Sequence, residues 1–260
     1  MPPSLRLLSA LAFAPLAAAP APFARAQTPA PVSAEAYRKD ALALPGLIEA
    51  QYAYPERLPG GRFPSSPQLT AQGETVHDAA SLLKYAENAL TALTDHHAIT
   101  GASFADSWAV VPSYADLWIE QVGPDWIITD VRDGSPAAEA SVQPGDRLLA
   151  LGDQSIDDAV AAFWGELGLS PEGERAGYAA RVLAAGRRDR PRDLTIETAD
   201  RARRRLTLPN LYTTRHDRPA VESHATDGAL VIRINDALGD QATIAAFDQA
   251  MAAARPDQTI

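Results

Sequence analysis

Between Leu117 and Leu208 short apolar runs alternate with turn signals, and the spacing predicts a sheet-forming module with three helices inside it. Strands are expected at Leu117–Val122, Trp126–Val131 and Arg147–Leu151. A short helix over Ala137–Ala140 lies between the last two, with Ser135 as N-cap and Pro136 at the first helical position. Tight turns follow from Gly134-Ser135-Pro136, Pro144-Gly145-Asp146 and Gly152-Asp153, because Gly accepts positive φ and Pro fixes φ near −65°. Ala159–Leu167 reads as a longer helix, Gly168–Gly173 as a loop and residues 174–186 as a further helix. Leu194–Thr198 and Arg205–Leu208 alternate as an antiparallel hairpin around Asp200, and the module closes near Pro209.

The flanks carry a helical period. From Ala41, Leu42, Leu44, Leu47 and Ile48 form one apolar face, with Pro45 weakening the first turn. Tyr52 to Pro67 holds four prolines and two adjacent glycines and cannot be a regular element; Tyr52, Tyr54 and Phe63 are expected to pin it to the body. A second helix is capped at Thr75, with Asp78 three residues on, and carries Ala79, Leu82, Leu83, Ala86, Ala89, Leu90 and Leu93 on its buried face. It ends before Asp95-His96-His97-Ala98. Beyond the module, Ala229–Ile234 reads as a buried strand and Thr243–Ala254 as a helix with Ile244, Phe247, Ala250 and Met251 on one face. Together they make half of a βαβ unit whose next strand is expected at or after Thr259-Ile260.

Composition narrows the function classes. A length of 260 residues holds one large or two small domains. A formal net charge of −10 argues against a nucleic-acid partner, since phosphate binding needs a basic surface. Arg187-Arg188 and Arg201–Arg205 flank predicted strands and read as solvated loop charge. Arg6, the apolar run Leu7–Ala19 and the small-x-small site Ala24-Arg25-Ala26 describe a signal peptide over 1–26, followed by a Pro/Ala-rich linker over 27–40. That run is too short, and too interrupted by Pro15, to span a bilayer, so the expected address is the periplasm. With no cysteine there is no disulfide, thiolate metal site or thiol nucleophile, and no cofactor or metal is expected. Adjacent Asp95, His96 and His97 face alternate ways in an extended segment and make a poor metal site; His77, His216 and His224 stand alone and read as structural.

The stretch Gly134–Ile156, GSPAAEASVQPGDRLLALGDQSI, resembles the PDZ domain of bacterial exported proteases, in which SPAxxAGφxxGDxφφxφ(D/N)G recurs; Ser141 stands where that pattern has Gly. Adding the D-x-H turn before it, and the GALVIRIN strand and AAFDQAM helix after it, residues 41–260 resemble the first half of a tail-specific or C-terminal processing serine peptidase. The resemblance implies an α+β multidomain architecture: a helical domain over 41–112, a PDZ-like β-barrel with helices over 113–210, and an incomplete α/β peptidase core over 211–260. It implies a polypeptide substrate and a nucleophilic Ser beyond the last residue, so that these 260 residues alone are expected to be inactive. His97 aligns with the catalytic His of tricorn-type members, where imidazole serves as general base. His96 is expected to point elsewhere, and Asp95 to cap or turn rather than to orient a base. The PDZ likeness places the peptide-binding loop at Tyr114, Ala115, Asp116 and Leu117, with Asp116 where a Gly is usual and a carboxylate there repelling a peptide C-terminus. The alternative reading is a non-catalytic periplasmic PDZ-type peptide-binding or scaffold protein. Oligomeric state is not legible.

Overall fold

Helix α1 (Ala34–Gln51) begins where Ser33 accepts a hydrogen bond from the Ala36 amide, seven residues before the expected start at Ala41. The supposed 27–40 linker is therefore helical from Ala34, because the cap and the packing of Tyr37 and Ala41 against Val76 and Tyr85 outweigh its polar composition. Pro45 is accommodated inside the helix. Leu42 and Leu47 face solvent, so the buried face is Ala41, Leu44 and Ile48. This computed structural model describes residues 32–213, 219–226, 228–235 and 240–254. The expected signal peptide, His216 and the strand expected at Thr259-Ile260 lie outside them.

Two single 3₁₀ turns, Pro55–Arg57 and Pro59–Gly61, occupy the proline-rich excursion, which Phe63 pins by burial while Tyr54 stays exposed. Helix α2 (Pro67–Glu74) was not expected; Ser66 caps it at the Leu69 amide, and Pro67 sits at its first position. Thr75 closes α2 rather than opening the next helix. Asp78 is the true cap of α3 (Ala79–Thr91), in a reciprocal capping box with Ser81.

The central module starts with β1 (Leu117–Val122), which pairs antiparallel with β2 (Asp125–Val131). A one-turn helix α4 (Pro136–Glu139), capped by Ser135, leads to β3 (Arg147–Leu151) and the short β4 (Gln154–Ser155). Helices α5 (Ile156–Gly165) and α6 (Glu174–Ala185) precede the hairpin of β5 (Arg192–Glu197) and β6 (Arg203–Leu208). The strand order is β1-β2-β3-β5-β6, with β4 on β3. No pairing between β1 and β6 closes it among the described residues, so the expected barrel is an open antiparallel sheet. Ile119, Ile128, Leu148, Leu194 and Ile196 line its buried face against Val160, Trp164 and Ala179. Ser141 has φ +57, the left-handed region that favours Gly, and Arg204 donates to the Ala140 and Ser141 carbonyls there.

One ion pair ties the module's ends together. Asp116 and Arg192 have side chains 0% and 4% exposed, and Asp116 Oδ2 accepts from both Arg192 Nη2 and the Ala137 amide. Arg192 Nη1 also donates to the Ala184 carbonyl at the end of α6, 2.7 Å away. Gly186, at φ +80, passes so close that a Cβ there would lie 3.3 Å from Arg192 Cβ.

The C-terminal segment departs from expectation. Ala229–Ile234 (β8) pairs antiparallel with β7 (Val221–Thr226), with Val221 opposite Ile234. Strand β8 is half-exposed rather than buried, and β7, Val-Glu-Ser-His-Ala-Thr, has no apolar run to mark it as a strand. Helix α7 (Gln241–Ala252) is capped by Asp240 and packs on this hairpin.

Replacing Ser141 with Gly relieves left-handed strain, and after the entropic penalty of Gly is subtracted the chain is expected to gain about 0.5–1 kcal/mol in denaturant melts. Asp116→Ala strands a buried guanidinium and is expected to lose about 3–5 kcal/mol in the same assay.

Candidate functional site

The turn after α3 holds the two histidines in opposite directions. Thr94 takes φ +58, and the Ala98 amide donates to the Asp95 carbonyl, which folds Asp95–Ala98 into a tight turn. The Asp95 side chain points inward, 4% exposed, and the His97 ring points outward, 88% exposed. Asp95 Oδ2 accepts the Tyr52 hydroxyl at 2.6 Å. Asp95 Oδ1 accepts the His97 amide at 2.9 Å and faces His97 Nδ1 at 3.3 Å. Burial alone would raise the Asp95 pKa, but the hydrogen bonds from Tyr52 and His97, with the Arg57 charge nearby, hold it below the usual carboxylate range. Burial and the same carboxylate push Tyr52 up to about 12. Arg57 fastens the turn from outside, donating to the Thr94 carbonyl and to Glu174 at the start of α6.

His96 enters the module. Its ring stacks on Tyr178 of α6 at 4.4 Å and 12°, meets the Trp118 ring of β1 edge-on, and accepts from Arg181 Nε at its own Nε2, 3.2 Å away. Arg181 also lies 4.3 Å over the Trp118 ring and donates to the Ile119 carbonyl. Burial first, and then the Arg181 charge, lower the His96 pKa to about 4, so this ring is neutral at pH 7. The segment is a tight turn rather than the expected extended one, and burial separates the two rings: His96 packs on Tyr178 and Trp118 while His97 faces solvent.

A groove of about 440 Å³ opens beside the turn, lined by Arg57, Leu58, Leu93, Thr94, Glu174 and Arg175. On the His96 side a smaller cavity of about 90 Å³ lies between Thr91, Trp108, Tyr178 and Val182.

The four residues expected to cradle a peptide terminus are not brought together as a cradle. Tyr114 stacks on Tyr212 with ring centres 3.7 Å apart, while Ala115, Asp116 and Leu117 are buried. The Tyr114 and Ala115 amides donate within the loop, to the carbonyls of Val110 and Pro112. Asp116 is engaged by Arg192 and repels nothing at the surface, because its carboxylate faces the core. His77 is exposed near Asp78, and His224 is exposed on β7. Among the described residues no group of three His, Asp or Glu is placed to hold a metal ion, and no helix is long and apolar enough to cross a membrane.

Tyr52, Arg57 and Arg181 are the site residues that sequence reasoning missed. Tyr52 and Arg57 come from the proline-rich excursion, 43 and 37 residues from their partners, and only folding reveals the pairing.

Residues 127–163 match the family described as the PDZ domain. Mature CPAF complexed with lactacystin is similar at 14% identity over 68% of this chain and 35% of that one, with a TM-score of 0.40. Mature CPAF alone is similar at 12% identity over 67% and 34%, with a TM-score of 0.41. The photosystem II D1 C-terminal processing protease is similar at 16% identity over 83% and 56%, with a TM-score of 0.37. The chain thus spans between a third and just over half of the length of these proteins. No curated protein matches it.

The buried neutral state of His96 has a pH signature. Its folded pKa of about 4 lies below the ordinary 6.5, so the unfolded chain binds more protons between those values. The stabilisation is fully present above pH 6.5 and is lost as pH falls toward 4, a difference of roughly 2–4 kcal/mol. In His96→Gln, which keeps an acceptor for Arg181 but does not titrate, the fall in melting temperature between pH 7 and pH 4.5 is expected to shrink; an equal fall in both proteins would rule this out.

Proposed function

We propose that this chain is the N-terminal part of an exported serine peptidase acting on unfolded or tail-exposed polypeptides, with His97 as its general base and the nucleophilic Ser beyond Ile260. One observation carries the reading: a solvent-facing imidazole held against a buried carboxylate on the turn that leads into a module containing a PDZ-family segment. In this mechanism the neutral ring of His97 takes the proton of the Ser hydroxyl as its oxygen attacks the scissile carbonyl carbon. The proton then passes to the departing amine as the carbon–nitrogen bond breaks, leaving an acyl-enzyme that water hydrolyses with the same ring as base. The central module would hold the polypeptide. Strand β1 makes no strand pairing on its outer edge among the described residues and lies beside α6, a geometry suited to accepting an added extended strand.

Export rests on the Leu7–Ala19 run and the Ala24-Arg25-Ala26 site, and the reading makes the mature protein periplasmic. The 260 residues alone are expected to hydrolyse nothing, since the nucleophile and the oxyanion donors would come from the remainder.

The test is to express the complete reading frame that carries these residues, with and without His97→Ala, and to measure cleavage of an unfolded protein. The expected result is cleavage reduced about 10²–10⁴-fold in the variant. Cleavage undiminished in His97→Ala would remove His97 from the mechanism. A complete frame that binds peptides without cutting them would establish the scaffold reading instead.

A further inference from the structure

We propose that Asp95 and Tyr52 are positioning residues for His97: the buried carboxylate, clamped by the tyrosine hydroxyl, selects the ring tautomer that leaves Nε2 unprotonated and facing outward. This deepens the reading of His97 as a base and rests on it for its catalytic meaning.

The argument is one of donors and acceptors. Asp95 Oδ1 can only accept, and it lies 3.3 Å from His97 Nδ1. That contact is favourable when Nδ1 carries the proton and repulsive when it carries a lone pair. A neutral ring protonated at Nδ1 has its lone pair at Nε2. With the ring 88% exposed, that nitrogen is presented to whatever approaches from solvent. The carboxylate cannot turn away, because the His97 amide holds Oδ1 at 2.9 Å and the Tyr52 hydroxyl holds Oδ2 at 2.6 Å. Arg57 and Arg181 are charged groups that face the turn; Arg57 bonds the Thr94 carbonyl and Glu174, Arg181 bonds His96 and the Ile119 carbonyl, and the two Asp95 oxygens are held by Tyr52 and His97. When Nε2 takes a proton, Nδ1 keeps its own and Asp95 stays ionised, so the imidazolium forms beside a fixed negative charge.

The neighbouring His96 shows the contrast. Its Nε2 already accepts from Arg181 and its ring is stacked in the module, so it has no free nitrogen to offer at that position. Of the two histidines in the turn, the carboxylate contact prepares His97.

The experiment is long-range proton–nitrogen correlation on the ¹⁵N-labelled 260-residue chain near neutral pH, which distinguishes the two ring tautomers directly. The neutral His97 ring is expected to be protonated at Nδ1. In Asp95→Asn that preference is expected to be lost, with the ring shifting toward protonation at Nε2 while His96 keeps its own pattern. Should the Asn variant fail to fold, Tyr52→Phe leaves the carboxylate present but unclamped, and a partial loss of the Nδ1-protonated form is expected together with an upward shift of the Asp95 titration. A His97 ring protonated at Nε2 in the unsubstituted chain, or tautomer populations unchanged in every variant that folds, would overturn the proposal. The readout needs no nucleophile. Failure of the base assignment, seen as undiminished cleavage in His97→Ala, is thereby distinguishable from failure of this inference.

Discussion

The ion pair between Asp116 and Arg192 joins parts of the module that lie 76 residues apart in the chain, and it does so with almost no solvent. Asp116 sits just before the first strand and takes the Ala137 amide, at the start of α4, on the same oxygen that holds Arg192. Arg192 opens the fifth strand and reaches the Ala184 carbonyl in the last turn of α6. A buried charge pair of this kind is costly to desolvate, and removing one partner leaves the other as an uncompensated buried charge. The carboxylate and the guanidinium together link the start of the sheet, the one-turn helix and α6.

The same economy governs the turn at Asp95. Tyr52, at the end of α1, and Arg57, from the proline-rich excursion, converge on it from the helical side, while Tyr178 and Arg181 of α6 and Trp118 of β1 receive His96 from the module side. A five-residue stretch is thereby held from two directions. One imidazole is an anchor, neutral and stacked; the other faces solvent beside Asp95. The division follows from the turn that the Ala98 amide closes on the Asp95 carbonyl, with burial on one side of it and solvent on the other.

The helical part and the central module share a continuous core, in which Ile48, Leu58, Phe63 and Leu93 pack with residues of the sheet and of α5 and α6. Ser66 donates to the Leu167 carbonyl, and Arg57 reaches Glu174, so polar contacts cross the same junction. The turn carrying His97 therefore belongs mechanically to both.

Much of this was legible in the residue order because it is locally encoded. Ser135 and Pro136 open α4, Asp200 marks the β5–β6 hairpin, and the apolar period of residues 174–186 is a helix for the reason that side chains three and four apart share a face. Ser141 was visible as a departure from a Gly, and the structure supplies the reason: its φ of +57 is a conformation in which Gly is at ease. The helix from Ala34 and the true cap at Asp78 were misjudged, since composition and a nearby Thr competed with caps that only hydrogen bonding ranks. Strand β7 was invisible, because a half-exposed hairpin strand needs no apolar run. Above all, sequence placed Asp116 at a ligand surface and read Asp95 as a turn former. Tertiary structure turned Asp116 inward to Arg192 and brought Tyr52 to Asp95, and the physical reason is common to both: a buried carboxylate is held by distant donors, and those donors are adjacent only after the chain has folded.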